Sequence, residues 1–366
     1  MTYAVKVLGA GSVGNHLSHA ARSLGWKVDL CDIDEAALAR TKDEIYPARY
    51  GAWDPEIRLL RADEAPIGGY DLIIVGTPPD CHVDLAIAAV RERPRTVLVE
   101  KPLCTPDLDG AQALHELAGE LGVPIFTGYD HVVGRASEKV AELVRADTFG
   151  PVETLDVEFR EFWGGIFAAH PWLDGPADSY LGYWRRGGGA SGEHSHAINL
   201  WQHFAHLVGA GRVVEVSAML DYVTDGRVDY DKLCALNLRT EKGLVGRVVQ
   251  DVVTIPPRKW ARLQGRDGYI EWHCGHKSGC DAVLEGTDAG GSTEHIFQKT
   301  RPDDFIQELR HIEAAVADDP AASAISLARG LDTMLVVAAA HKSAQENRVI
   351  RIDYTAGYTT AALKAA

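Results

Sequence analysis

Val5-Lys6-Val7-Leu8-Gly9-Ala10-Gly11-Ser12-Val13-Gly14 is the stretch whose reading decides the fold. An apolar run of β type leads into G-x-G-x-x-G. A helical stretch follows from Asn15 to Leu24, and a second apolar run, Val28-Asp29-Leu30-Cys31-Asp32, ends in an acid. Strand, glycine turn, helix and distal acid in that order are the context a dinucleotide fingerprint requires. Gly9 permits the tight turn, Gly11 lets backbone approach a pyrophosphate, and Gly14 lets helix and strand close on each other. Ser12 and Val13 open the helix, whose free N–H groups and positive dipole end suit phosphates. Asp32 is placed to accept hydrogen bonds from adenosine ribose hydroxyls and to repel a 2′-phosphate. Its neighbour Ile33 is no arginine that could hold one. The expected cofactor is therefore NAD rather than its phosphorylated form. Asp34, before Glu35-Ala36-Ala37-Leu38, reads as a helix N-cap.

Working outward, a chain of 366 residues is long enough for a large core and two domains. Hydrophobic residues at 46% and charged residues at 24% place it among soluble globular proteins. No apolar run is long enough to span a bilayer, and no basic segment with a following apolar core marks a signal peptide, so a cytoplasmic location is expected. The net charge of −15 argues against nucleic acid or an anionic membrane as partner. Six scattered cysteines (Cys31, Cys81, Cys104, Cys234, Cys274, Cys280) make no disulfide framework, which fits a reducing compartment. His273-Cys274-Gly275-His276 with Cys280 gathers four N/S ligands in eight residues. Zinc fingers pair two separated ligand sets, so the expectation is a strand end and turn with no metal.

The first part of the chain alternates strand and helix. Strands are expected at Ala4–Gly9, Lys27–Cys31, Leu72–Val75, Thr96–Val99 and Pro124–Thr127, and helices at Gly11–Leu24, Ala36–Ile45, Val83–Arg91 and Leu108–Leu121. From about Gly150 the pattern turns to strands separated by turns: Val152–Phe162, Val213–Tyr222, Leu233–Arg239, Val245–Val253, Lys259–Gln264 and Gly268–Trp272. Helical periodicity returns at Ala197–Val208, Phe305–Ala317 and Ser326–Asn347. The fold class expected is α/β. A Rossmann domain with a doubly wound parallel sheet spans 1–128. A C-terminal α+β domain on a large, mostly antiparallel open sheet spans 129–366, with closing helices free to pack back on the first domain.

Three elements carry chemistry beyond the glycine turn. Ile73-Ile74-Val75 ends in Thr77-Pro78-Pro79 with His82 soon after, and Thr96–Val99 ends in Glu100-Lys101-Pro102. Both lie at the carboxyl ends of parallel strands, where such sheets bind ligands. A lysine there can reach a substrate oxygen. The third is Trp184-Arg185-Arg186-Gly187-Gly188-Gly189-Ala190-Ser191-Gly192-Glu193-His194-Ser195-His196-Ala197-Ile198-Asn199. Its glycines permit close approach of backbone to a flat ligand. His196 falls in the first turn of the helix that follows, with Glu193 and Asn199 three residues to either side. Histidine is the usual group for proton transfer near neutral pH, and a helix N-terminus favours its neutral form. The aromatics Phe162, Trp163, Phe167, His170, Trp172, Tyr180, Tyr183 and Trp184 read equally as a wall for a sugar ring or as a buried loop.

Together these elements resemble the Gfo/Idh/MocA oxidoreductases, the family of glucose–fructose oxidoreductase and inositol dehydrogenase. The matching residues are Gly9, Gly11 and Gly14, Thr77-Pro78 with His82, Glu100-Lys101-Pro102, and the GGG…H segment ending at His196. The tail Phe305–Ile352 also looks like the family's closing segment. The resemblance implies NAD-dependent hydride transfer to or from a ring carbon of a sugar, sugar derivative or cyclitol. It implies Lys101 and His196 as catalytic residues, and a homo-dimer or homo-tetramer. It also implies a cofactor site of Gly9, Gly11, Ser12, Val13, Gly14, Asp32, Ile33, Thr77, Pro78, Pro79, His82, Glu100, Lys101, Trp184 and Arg185. The substrate site would hold Lys101, Tyr129, Trp163, His170, Tyr180, Glu193 and His196. Two departures stand out. Many members carry Asp four residues before the histidine and Asp three after, where this chain has Gly192 and Asn199, with Glu193 between. The family's Asn-x-Arg reads Asp130-His131-Val132 here. A nucleotide-sugar dehydrogenase or reductase of the same family, a non-catalytic NAD-binding regulator and a zinc-dependent alcohol dehydrogenase are the alternatives.

Overall fold

The computed structural model describes residues 2–168, 170, 172–277, 279–287 and 290–366. The N-terminal part runs β1 (Ala4–Leu8), α1 (Ser12–Ser23), β2 (Lys27–Asp32), α2 (Glu35–Arg40), α3 (Tyr46–Tyr50), β3 (Ile57–Arg61), β4 (Leu72–Val75), α4 (His82–Arg91), β5 (Thr96–Val99), α5 (Ala111–Leu121), β6 (Ile125–Thr127) and α6 (Arg135–Ala146). Its six strands are all parallel, in the order β3-β2-β1-β4-β5-β6. That is the doubly wound order, and it brings the carboxyl ends of β1, β4 and β5 to one rim where the strand order reverses. β4 and β5 are buried throughout, which is why they read as apolar runs, with only Thr96 polar at the start of β5. β3 is absent from the sequence expectation. As an edge strand it carries Arg58 and Arg61 among its apolar residues, and Arg58 pairs with Asp29 of β2.

The C-terminal part runs β7 (Val152–Arg160), α7 (Gly164–Ala168), α8 (Gly189–Glu193), α9 (His196–Leu207), β8 (Val213–Thr224), β9 (Asp229–Thr240), β10 (Val245–Asp251), β11 (Arg258–Gly265), β12 (Gly268–Lys277), β13 (Cys280–Thr287), β14 (Ser292–Gln298), α10 (Arg301–Ala317), α11 (Leu327–Glu346), β15 (Ile350–Ile352) and β16 (Leu363–Ala365). Ten strands form one sheet, β14-β13-β12-β11-β7-β10-β9-β8-β15-β16. Neighbours are antiparallel except β7 with β10. β13 and β14 were not expected, because the His/Cys-rich stretch hides the hairpin joining β12 to β13. Among the described residues the four side chains of that stretch do not gather as one ligand set, although the His273 and His276 rings lie 4.9 Å apart. His273 bonds Glu271, His276 bonds Glu294, Cys274 Sγ faces the Lys299 ammonium, and Cys280 Sγ faces the Lys277 carbonyl.

Helices α9 and α11 pack on one face of this sheet, with Trp201 of α9 donating to the Leu155 carbonyl of β7. α11 is apolar nearly all round and buried accordingly. α10 packs on α1, so the closing helices bind the two sheets into one core. No helix among the described residues is long and apolar enough to cross a membrane.

Candidate active site

The glycine turn is built without slack. Gly9 has φ +104°, and a Cβ there would meet the Gly76 carbonyl. A Cβ on Gly14 would run into the Gly9 carbonyl oxygen, whereas among the described residues nothing stands within 4 Å of the same position on Gly11. The buried amide of Asn15 donates to the Ala10 and Gly11 carbonyls and locks the turn. Gly11 is the N-cap of α1, no side chain caps it, and no acid lies in the first turn. The N–H groups and positive end of α1 are thus free for an anion. Asp32 takes Ala10 N–H on Oδ2 at 2.7 Å and Asp34 N–H on Oδ1 at 2.9 Å. Ile33 beside it is 81% exposed, and Asp34 caps α2 through Ala36 N–H. These residues fit a dinucleotide with free ribose hydroxyls.

One pocket of about 410 Å³ opens from this turn. Gly11, Ser12, Val13, Thr77, Pro78, Glu100 and Lys101 line it from the first sheet. His170, Tyr180, Glu193 and His196 line it from the second part of the chain. Lys101 follows β5 across a cis bond to Pro102. Its ammonium donates to the Glu193 carbonyl at 3.0 Å and to Glu193 Oε2 at 3.1 Å. Glu100 is buried, and burial raises its carboxyl above the ordinary range against the pull of Lys101.

His196 is the first residue of α9, after the N-cap Ser195. Tyr129 meets its ring edge-on at 5.5 Å, His131 lies at 4.7 Å and Phe159 at 6.3 Å between ring centres. Burial is the first reason its pKa falls well below 6.5, followed by His131, Lys101, Lys259 and His194. The neutral form expected from the helix N-terminus thus has a stronger cause in desolvation.

Other expected site residues stand outside the pocket wall. His82 is fully buried and spans the Pro102 and Thr77 carbonyls at 2.9 and 2.7 Å, tying the turns after β4 and β5 together. Pro79 packs beside Gly187. Tyr129 is buried, and its hydroxyl donates to Ser195 Oγ at 3.3 Å, holding the start of α9. Trp163 belongs to a small cluster with Leu181, Ala190 and Val252. Trp184 stacks on His341 at 4.2 Å, and Arg185 lies against Trp184 and pairs with Asp229. Neither of these two lines the pocket. The last of the three glycines, Gly189, starts α8. Gly189 has φ +74°, and a Cβ there would strike the buried Asp231 carboxylate, which accepts from Ser191 N–H and Oγ.

Sequence reasoning missed Asp130, His131, Glu161, His194, Lys259, Arg301, Phe305 and Glu308, all in the pocket wall. Asp130 and His131 follow β6 at the ligand rim, which was a readable signal. Lys259 and Glu161 pair at 2.8 Å across β11 and the end of β7. That pairing comes from sheet register, which no local pattern announces. Burial works most strongly against the Lys259 charge, but Glu161 and Cys274 together raise the ammonium's pKa.

Two family models match the chain. One, an oxidoreductase-family NAD-binding Rossmann fold, covers residues 5–129. The other, the GFO/IDH/MocA C-terminal domain, covers 137–271. No curated protein matches. Among solved structures, an oxidoreductase from Agrobacterium radiobacter in complex with NAD+, L-tartaric acid and magnesium is 18% identical, with TM-score 0.74 over 96% of this chain and 98% of that one. The WlbA dehydrogenase from Bordetella pertussis, in complex with NADH and UDP-GlcNAcA, is 19% identical, with TM-score 0.70 over 96% and 99%. A levoglucosan dehydrogenase in complex with NADH and L-sorbose is 17% identical, with TM-score 0.76 over 96% and 100%. NAD is therefore the cofactor class of this chain. The position of Asp32 and Ile33 makes the choice within that class testable. NAD+ is expected to bind more tightly than NADP+, and Asp32→Ser with Ile33→Arg should shift the preference toward NADP+. Equal dissociation constants for both cofactors in the natural protein would remove that role from Asp32.

Proposed function

The chain belongs to the Gfo/Idh/MocA oxidoreductase family, and from that premise we propose that it interconverts a secondary alcohol and a ketone on a sugar, sugar derivative or cyclitol. The observation that carries this reading is the meeting of Lys101 and His196 in the pocket that opens from the glycine turn. When bound, the nicotinamide supplies the hydride acceptor or donor that no side chain can provide. Everything else falls to this chain's residues. In the oxidative direction His196, neutral near pH 7, accepts the hydroxyl proton. The Lys101 ammonium donates a hydrogen bond to the same oxygen and stabilises its developing negative charge. Glu193 holds that ammonium in place. Tyr180 and His170 offer further polar contacts to substrate hydroxyls.

Two of the three lysine and arginine side chains in the wall are already neutralised, which favours a neutral, polyhydroxylated substrate, while Arg301 has no ion pair among the described residues and makes sugar acids the comparison that decides. Lys101 and Lys259 already carry acidic partners, Glu193 and Glu161. The test is a panel of neutral sugars, sugar acids and cyclitols with NAD+ and with NADH, followed by nicotinamide absorbance. Turnover on the neutral members is the expected result, and no turnover on any member would turn the reading toward a non-catalytic NAD-binding protein.

We assign self-association to the outer face of the ten-stranded sheet. Met219 stands 75% exposed there, and the register carries the same row through Ala235, Val249 and Glu158 to Trp260. Light scattering coupled to gel filtration should give a dimer or tetramer, and Met219→Asp with Trp260→Glu should lower the mass toward that of one chain.

A further inference from the structure

Asp130 follows β6 and is 8% exposed. Its Oδ1 lies 3.7 Å from His196 Nδ1 and 4.0 Å from His131 Nδ1. Asp130 Oδ1 and His196 Nδ1 are both buried, and neither has a hydrogen-bond partner among the described residues. Two orphaned polar atoms that face each other in a dry place are costly unless they pair. The gap exceeds a made hydrogen bond by less than an ångström, and catalytic hydrogen bonds are commonly long before substrate closes the site. His196 Nε2 is not among the buried unpartnered atoms, so it is the ring nitrogen open to the pocket.

We propose that Asp130 is the positioning residue for His196, accepting a hydrogen bond from Nδ1–H and so leaving Nε2 as the unprotonated nitrogen that faces the substrate. This rests on the reading of His196 as the base. When the substrate O–H bond breaks, the new N–H bond forms at Nε2, and Nδ1 keeps its own proton toward Asp130. The carboxylate stabilises the resulting imidazolium and is not itself protonated. It thereby fills, from a different element, the place left by Gly192 four residues before the histidine.

The other buried acids nearby are poorly suited to the role. Burial raises Glu100, and burial together with Glu100, Asp130 and Asp304 raises Glu308, so both favour their neutral forms. The groups facing the His196 ring are Asp130 and His131 beyond β6, Lys101 after β5, Lys259 on β11 and His194 before α9. Asp130, His131 and His196 also bring one oxygen and two nitrogens within 4.8 Å of one another, a donor set that suits a first-row divalent metal. The Lys101 and Lys259 ammonium groups act on the same imidazole and oppose a further cation there. The hydrogen-bonded pair is the reading these charges favour.

The test uses the full-length protein with NAD, in Asp130→Asn and Asp130→Glu forms. Asp130→Asn should lower kcat by about tenfold or more, with KM and NAD affinity little changed. Its acid limb should move to lower pH, because the carboxylate that favours the imidazolium is gone. Asp130→Glu should restore part of the rate. A low-field Nδ1–H proton resonance should be visible in the natural protein without substrate and vanish in both Asp130→Asn and His196→Asn. That resonance does not depend on turnover, so it separates failure of the pairing from failure of the proposed reaction. Its absence from the natural protein would overturn the proposal, as would an unchanged kcat in Asp130→Asn. So would losses of kcat and thermal stability together that Asp130→Glu does not rescue. Stoichiometric zinc, manganese or iron in the purified protein, lost on Asp130→Asn, would overturn it in favour of a metal site.

Discussion

Replacing Lys101 with Ala is expected to lower turnover about 10²-fold or more, the scale for removing a positioned electrostatic group from a reacting oxygen. The lysine stands at the carboxyl end of β5, where doubly wound sheets place their ligands. Its ammonium is fixed by two contacts to Glu193, at 3.0 and 3.1 Å. Truncation removes the donor and leaves the Glu193 carboxylate without its countercharge. That side chain keeps 17% of its surface exposed, so water can take over part of the lost contact and the fold should survive. NAD binding should survive as well, because the glycine turn and Asp32 are organised by their own hydrogen bonds. Lys101→Arg should not rescue the rate, since a planar fork cannot reproduce a compact ammonium aimed at one oxygen. The measurement is kcat and KM on the best substrate of the panel, beside the melting temperature and the NAD dissociation constant. Wild-type turnover in Lys101→Ala would reduce the lysine to a partner of Glu193.

What could be read from the sequence follows from how local each signal is. The turn Gly9–Gly14 announces itself because every residue in it obeys a local steric or electrostatic demand. The strands β4 and β5 were readable because both faces are covered and every residue but Thr96 is apolar. β3 was not, because an edge strand with arginines has no such run. The pocket shows the same division. Lys101 and His196 lie beside recognisable motifs. Lys259 and Glu161 meet only because β11 pairs with β7 in one register. Arg301 and Phe305 reach the pocket only because α10 docks on α1. The capping box at Thr300 and Asp303 marks where that helix begins, but nothing local says what it packs against. Trp184 and Arg185 stand before the glycines and suit a cofactor wall by residue type, but the stacking of Trp184 on His341 and the pairing of Arg185 with Asp229 could not be read from any local pattern.

His196→Asn is expected to lower the rate of alcohol oxidation by about 10²- to 10⁴-fold at neutral pH, the range for loss of a general base. The sign of the pH dependence follows from the environment of the ring. Burial first, then the neighbouring His131, Lys101 and Lys259, hold its pKa well below 6.5. A base whose pKa is lowered is already deprotonated at pH 7, so the natural protein should keep its full rate as pH falls from neutral to 6.5. The Asn variant has no base, and its oxidation should speed up as hydroxide takes over proton removal. The gap between the two proteins should therefore narrow steadily as pH rises. Reduction depends on the protonated ring, so in that direction the natural protein should gain rate as pH falls below 6.5, and the Asn variant should not. The smaller side chain leaves Tyr129, His131 and Phe159 without their central ring. Some loss of stability is expected, but α9 retains its buried face and its tie through Trp201 to β7. Unchanged NAD affinity would show that the cofactor site is intact and that the kinetic loss is chemical. A gap in oxidation rate that stays constant from neutral to alkaline pH would mean that His196 packs the site without taking the proton. Lys101, the other group on the reacting oxygen, would then be the next candidate for the base.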